Sequence, residues 1–337
     1  MSRDLDFDLD RLEAAIGGPL ALAPVASGQS NPTWFVTRGD ERMVLRKKPA
    51  GQTLSAAHAI EREYQIMEAL HGSDVPVPRM ILLEEDPEVI GTPFYLMEMV
   101  AGQVHDQCAM PDLAPVSRGS FYAAAAQVMA ALHRIDWAAC GLGGYGRVGD
   151  YYERQVRRWT RQWEDAGVGA DPMIDELQRW FAANIPAASP TTIVHGDFRV
   201  GNLIHDADND KIAAVLDWEL STLGDPLADL SHWMLFYDLA PDQLGGLAGL
   251  DLRQLGIPEP TAFLDVYRAA GGCTQPLRPF HLAFAHYRMA VIFAGIAARA
   301  RSGQAVSEDA AAVGSLAPIC AAHAHRILSS DRAVPAL

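Results

Sequence analysis

The texture of the sequence changes once. Through Val100, short apolar runs alternate with turn residues; beyond Ala101-Gly102, apolar residues recur every three to four positions over long stretches. Segments 20–25, 34–37, 42–46, 80–83 and 93–99 are strand-like, bounded by Gly, Asn, Pro and Asp. Segment 8–16 is an amphipathic helix, and 56–70 carries Ile60, Tyr64, Met67 and Leu70 on one helical face. Val75-Pro-Val-Pro78 stops that second helix, because proline lacks the amide a helix interior needs. A small antiparallel sheet with a helix is therefore expected over residues 1–100. A linker is expected near 99–104.

Residues 101–337 read as mainly helical, with helices expected over 120–135, 151–165, 171–185, 227–237, 261–270, 279–300 and 307–328. Two short apolar strands, 191–194 and 212–216, interrupt them. The 337 residues exceed an ordinary single domain of about 100–200, so two packed units fit the length. There is no internal repeat and no low-complexity segment. The fold class is α+β.

Composition excludes several functions. Hydrophobic residues make up 49% of the chain and charged residues 20%, as in a folded globular protein. The formal net charge of −15 repels nucleic acid and anionic membrane, so neither is expected as a partner. Of the 27 cationic residues only Lys47, Lys48 and Lys211 are lysine, and two of these are adjacent. Cys108, Cys140, Cys273 and Cys320 are scattered without a C-x-x-C pair, which suits reduced core thiols and a cytoplasmic protein. The first residues are acidic and lack the apolar run of a signal peptide. His286, Arg288 and Arg299 break the apolar segment 282–300, which favours a buried or amphipathic helix over a membrane span.

The stretch Ile193-Val-His-Gly-Asp-Phe-Arg-Val-Gly-Asn-Leu-Ile204 sets Asp197 and Asn202 in a polar turn between the two short strands. Phosphoryl transfer needs phosphates and Mg2+ held in place and an acceptor hydroxyl oriented near a carboxylate. Asp197 can accept a hydroxyl proton, and Asn202 can offer a neutral oxygen to a metal. Asp217 ends the next strand, so a hairpin between the two strands sets a second hard oxygen beside Asn202.

His195-Gly-Asp-x-x-x-x-Asn202 followed by Leu216-Asp-Trp-Glu219 resembles the catalytic loop and metal-binding aspartate of the aminoglycoside phosphotransferase and choline kinase-like family, over nearly the whole chain. The resemblance implies a protein-kinase-like two-lobed fold. Residues 1–100 would form the N-terminal nucleotide-binding lobe, and 101–337 the C-terminal catalytic and acceptor-binding lobe. It implies ATP and Mg2+ as cofactors and a small-molecule hydroxyl as acceptor. Asp197 is then the catalytic base, supported by His195, with Asn202 and Asp217 as Mg2+ ligands. Ser27, Gly28, Ser30 and Asn31 fall where kinases keep a loop over the ATP phosphates, although no G-x-G-x-x-G stands there. Val44-Leu-Arg-Lys-Lys48 occupies the place of the phosphate-contacting kinase lysine. Alignment selects Arg46, and Lys47 and Lys48 remain candidates.

In the same scheme Glu63 pairs with that cation, with Glu61 its competitor; two positions apart, they point about 200° from each other. Met97-Glu-Met-Val100 is the hinge, where backbone groups of Glu98 and Val100 meet adenine. Asp229 anchors the backbone of the catalytic loop, and Asp225 caps a helix.

Other motifs fail on context. Gly144-Tyr-Gly-Arg-Val-Gly149 matches G-x-G-x-x-G, but no strand precedes it. Asp206, Asp208 and Asp210 lack the glycine and terminal glutamate of a calcium loop. Tyr152-Glu-Arg-Gln-Val-Arg-Arg-Trp159 and Leu132-His-Arg-Ile-Asp136 resemble segments of the phosphotransferase-like domains related to those fused to acyl-CoA dehydrogenases. That likeness implies a hydroxyacyl-CoA type acceptor. Arg154, Arg157, Arg158 and Arg161 either serve its anionic groups or form a solvated face with Glu153 and Glu164. Two alternatives stand beside it: an aminoglycoside kinase, and a catalytically silent ATP-binding module suggested by the poor glycine loop and the arginine at the lysine position. The sequence carries no sign of oligomeric state.

Overall fold

Five segments, β1 (Ala21–Pro24), β2 (Thr33–Arg38), β3 (Glu41–Lys47), β4 (Met80–Glu84) and β5 (Phe94–Glu98), pair antiparallel in the order β1-β2-β3-β5-β4. The structure is a computed structural model that describes residues 5–25, 31–49, 60–187, 190–301 and 310–330. Side chains alternate faces along a strand, which sorts β3 into two sets. Met43 and Leu45 join Val36, Ile90, Phe94 and Leu96 in one apolar cluster. Leu12 of helix α1 (Leu9–Ile16) closes that cluster, and Asp8 caps the helix by accepting from the Asp10 and Arg11 amides. Val44 and Arg46 stand on the other face, opposite Met97 and Tyr95 of β5. Helix α2 (Ile60–Leu70) covers this second face; its Ile60, Ile66, Met67 and Leu70 are buried with Met80 and Tyr95 in the main core.

The rest of the described chain is mainly helical: α3 (Pro115–Arg134), α4 (Tyr151–Asp165), α5 (Pro172–Ala183), α6 (Leu227–Asp238), α7 (Leu252–Leu255), α8 (Pro260–Ala269), α9 (Pro279–Arg301), α10 (Ala310–Gly314) and α11 (Ala317–Ser329). Helix α9 packs against α4, α5, α6, α10 and α11. Phe280 and Phe284 stack along it at 5.9 Å, with the Phe181 ring edge-on to both. It is long and apolar enough to cross a bilayer, yet 78% of that window is buried inside the fold, where its aromatic residues fill the core.

Two expectations need correcting. The strands flanking the polar turn do not pair with each other. β6 (Thr192–Val194) pairs with β9 (Thr222–Gly224), and β7 (Leu203–Asp206) forms a hairpin with β8 (Lys211–Val215). Strands of three or four residues bury too little surface to leave a clear pattern, so β7 and β9 escaped the sequence reading. The helix expected over 307–328 is, among the described residues, α10 and α11, separated at Ser315-Leu316 ahead of Pro318.

The segment after β5 is fixed to the β7–β8 hairpin. Gln103 and His205 exchange backbone hydrogen bonds of 2.9 and 2.7 Å. Gly102 has φ +145°, and a Cβ there would lie 2.4 Å from Ile204 Cγ2, so only glycine lets the linker lie this close.

Candidate active site

Asp229, fully buried in the first turn of α6, holds the polar turn from below. Its Oδ2 accepts from the His195 amide and its Oδ1 from the Gly196 amide, both at 2.8 Å. Gly196 has φ +84°, and a Cβ would sit 2.7 Å from the Leu220 carbonyl oxygen, so the turn needs glycine. His133 of α3 reaches Asp229 at 3.2 Å through Nε2, and its Nδ1 meets the Tyr267 hydroxyl at 2.8 Å. Burial pushes the Asp229 carboxyl up, but His133, His195 and the Gly196 amide outweigh it and hold it below the usual carboxylate range.

His195 is buried, with both ring nitrogens engaged by backbone. Nε2 lies 2.9 Å from the Leu216 carbonyl and Nδ1 accepts from the Asp197 amide at 3.2 Å. The ring therefore positions the loop and has no nitrogen directed at a substrate. Asp197 is half-buried. Its Oδ1 lies 2.8 Å from His232 Nε2, and its Oδ2 accepts from Asn202 Nδ2 at 2.9 Å and lies 3.4 Å from Arg199 Nε. Burial pushes its pKa up, yet the His232 contact, Arg199 and Arg288 together hold it well below the ordinary value. The carboxylate is ionised at neutral pH.

Asn202 directs its Nδ2 at the Asp197 carbonyl and carboxylate, at 2.8 and 2.9 Å. Its amide oxygen accepts no hydrogen bond among the described residues. The Leu216 amide donates to the Asn202 carbonyl at 2.8 Å, which ties the start of β7 to the end of β8 and sets Asp217 beside Asn202. The left-handed φ of +64° at Asp217 is a conformation that aspartate tolerates better than most residues. An amide oxygen and a carboxylate at the two ends of one hairpin are the hard donors that Mg2+ takes.

The cation that faces this hairpin is Arg46, 171 residues away in sequence from Asp217. Its guanidinium spans three acids: Nε lies 3.1 Å from Glu63 Oε2, and NH2 lies 3.0 Å from Asp217 Oδ1 and 3.7 Å from Glu219 Oε2. Glu63 is buried and also accepts from Asn31 Nδ2 at 2.8 Å and from the Tyr95 hydroxyl at 3.0 Å. Burial opposes the charge on Arg46, but its acidic neighbours outweigh that and raise its pKa.

Lys47 is corrected as a nucleotide residue. One position further along β3, it points to the opposite face, where it is fully buried with Nζ 2.7 Å from Asp6 and 5.4 Å from the Phe7 ring. Lys48 pairs with Glu61, so Glu61 is not the partner of Arg46. Ser27, Gly28 and Ser30 lie outside the described residues; Asn31 sits against Glu63.

At the end of β5 the Glu98 amide donates to the Arg79 carbonyl at 2.9 Å, and the Glu98 carboxylate lies 3.6 Å from Arg79 Nε. The Val100 amide makes no backbone hydrogen bond among the described residues.

Sequence reading missed His232, Arg199 and Arg288 around Asp197. For His232 a signal existed: it lies three residues after Asp229, so the helical face that anchors the loop also presents the imidazole to it.

The two-lobed arrangement and the loop architecture are those of a kinase-like fold. The model of the phosphotransferase enzyme family that includes the aminoglycoside phosphotransferases matches residues 21–278, and the chain belongs to that family. It is 42% identical over 303 residues to mouse acyl-CoA dehydrogenase family member 10, covering 89% of this chain and 28% of that protein. It is 37% identical over 293 residues to human acyl-CoA dehydrogenase family member 11, covering 86% of this chain and 38% of that protein. The chain thus spans about a third of the length of these relatives. A solved Ralstonia eutropha candidate aminoglycoside phosphotransferase shares 38% identity at TM-score 0.86, with 96% of this chain and 99% of that chain covered. The phosphotransferase APH(4)-Ia, solved with AMP-PNP and hygromycin B, shares the fold at TM-score 0.63 and 16% identity, over 97% and 99% of the two chains.

Proposed function

We propose that this protein is an ATP- and Mg2+-dependent phosphotransferase acting on a small-molecule hydroxyl, with a hydroxylated acyl-CoA type metabolite as acceptor. The observation that carries the activity is the convergence of Arg46, Asp197, Asn202 and Asp217 from β3 and from both ends of the β7–β8 hairpin. The acceptor class rests on the acyl-CoA dehydrogenase relatives.

Bound MgATP supplies the γ-phosphoryl group and neutralises charge on its oxygens. Asn202 and Asp217 would hold the metal, and Arg46, fixed by Glu63, would meet the phosphates. Asp197 orients the acceptor hydroxyl. As that oxygen bonds to phosphorus and the bond to the ADP oxygen breaks, the hydroxyl proton passes to an Asp197 carboxylate oxygen. A carboxylate with a lowered pKa is a weak base, so proton transfer comes late and positioning contributes most of the rate. His195 and Asp229 keep the loop in shape.

Asp197→Asn keeps the size of the side chain and removes the base. The variant should bind nucleotide as the wild type does while turnover falls by about 10²–10⁴. Wild-type turnover in the variant refutes the assignment. Nucleotide binding without transfer to any hydroxyl compound by the wild type supports a silent binding module. An aminoglycoside acceptor is the second reading, favoured by the hygromycin B complex of the distant structural relative.

A further inference from the structure

Helices α4 and α9 pack together at Trp159, whose ring is buried. Two guanidinium groups lie at this one ring: Arg158 of α4 at 5.2 Å from its centroid and Arg288 of α9 at 5.5 Å. Neither makes a hydrogen bond or ion pair with any described residue. Their neighbours on α4 differ. Arg154 donates to the carbonyls of Gly149 and Arg147, and Arg157 lies 3.6 Å from Glu153. Burial and the charge of Arg288 both lower the Arg158 pKa, so the two cations sense each other. Helix α9, which carries Arg288, packs against α6, the helix whose Asp229 and His232 contact the catalytic loop, and Arg288 helps to hold the Asp197 carboxyl down.

Arg158 is exposed and Arg288 half-buried, and like charges brought to one aromatic ring repel. The ring offsets part of that through cation–π attraction, and an anion offsets more. Two guanidinium forks match the planar or tripod oxygens of carboxylate or phosphate. On a chain of net charge −15 such a local reversal of sign is specific.

We propose that Arg158 and Arg288, held on Trp159 beside the catalytic loop, bind an anionic group of the phosphoryl acceptor, so the acceptor is a hydroxyl compound bearing phosphate or carboxylate and not a polycation. This rests on the phosphotransferase reading. It also divides the arginines of α4: Arg158 serves the acceptor, whereas Arg154 and Arg157 serve the helix.

The test is calorimetric binding of four probes: 3-hydroxybutyryl-CoA, free 3-hydroxybutyrate, the uncharged N-acetylcysteamine thioester of the same acid, and kanamycin. Each is titrated into the wild type, Arg158→Gln, Arg288→Gln, Arg288→Lys and Arg157→Gln, with MgATP titrated separately. At least one anionic probe should bind the wild type more tightly than the neutral thioester and kanamycin, and more weakly as salt rises. Its Kd should rise about tenfold or more in the Arg158→Gln and Arg288→Gln variants, less in Arg288→Lys, and not in Arg157→Gln. Preference for the CoA thioester over the free acid assigns the pair to phosphate, and the reverse assigns it to carboxylate.

Equal affinities in the wild type and both glutamine variants, tighter kanamycin binding, or no anionic probe bound at millimolar concentration overturns the proposal. MgATP affinity should be unchanged in every variant. Loss of MgATP binding in the wild type itself would refute the phosphotransferase reading, while the anion titrations still judge the arginine pair.

Discussion

Replacing Asp229 by asparagine changes almost no volume but removes a buried charge that accepts the His195 and Gly196 amides at 2.8 Å and faces His133 at 3.2 Å. Hydrogen bonds to a charged group contribute about 1.5–3 kcal/mol each. Asparagine keeps one acceptor oxygen and turns an NH2 toward the other donor, so the loss is about 3–5 kcal/mol, as for other uncompensated buried partners. With an unfolding entropy of about 2.1 cal/mol/K per residue, a cooperative transition of this chain should shift down by about 4–7 °C in scanning calorimetry.

The pH dependence adds a signature. Because the folded Asp229 pKa lies below its ordinary value, its contribution is fully present above about pH 4 and is lost as pH falls through the lowered value. The variant should therefore lose less stability than the wild type over that acid range. A Tm within about 1 °C of the wild type, with an unchanged acid limb, would show that the carboxylate does not hold the loop.

Three further outcomes follow from the same geometry. Arg46→Lys keeps the charge but cannot span Glu63 and Asp217 together, so nucleotide affinity by calorimetry should fall about tenfold. Lys47→Met should leave nucleotide affinity unchanged, because Lys47 lies on the opposite face with Asp6; a large loss would return Lys47 to the cleft. Burial lowers the His281 pKa to about 4, aided by Arg278, so the unfolded chain takes up a proton below about pH 6.5 that the folded chain declines. Stability should fall between those two values by up to about 3 kcal/mol, and His281→Asn should reduce that slope in denaturant titrations.

The helical periodicities and the break near Ala101 were legible because long amphipathic segments repeat their signal many times. The polar turn was legible because loop chemistry is concentrated in a few adjacent residues, Asp197 and Asn202 among them. The choice between Arg46 and Lys47 was half legible. Strand alternation requires the two to face opposite ways, but both faces of β3 carry apolar residues, so the pattern does not say which side holds the cleft. What brings Arg46 to Asp217, or Arg288 to Trp159, is tertiary packing between segments far apart in the chain, and no local pattern records it. The partners of β6 and β8 were missed for a related reason: β7 and β9 are too short to repeat a period.

The most direct test incubates the protein with γ-labelled ATP, Mg2+ and a fractionated metabolite extract, and identifies by mass spectrometry whichever compound gains label. Label should appear on the hydroxyl oxygen of an anionic small molecule with the wild type, and nowhere with Asp197→Asn. Label appearing only as inorganic phosphate, or equally with both proteins, would contradict the proposed function.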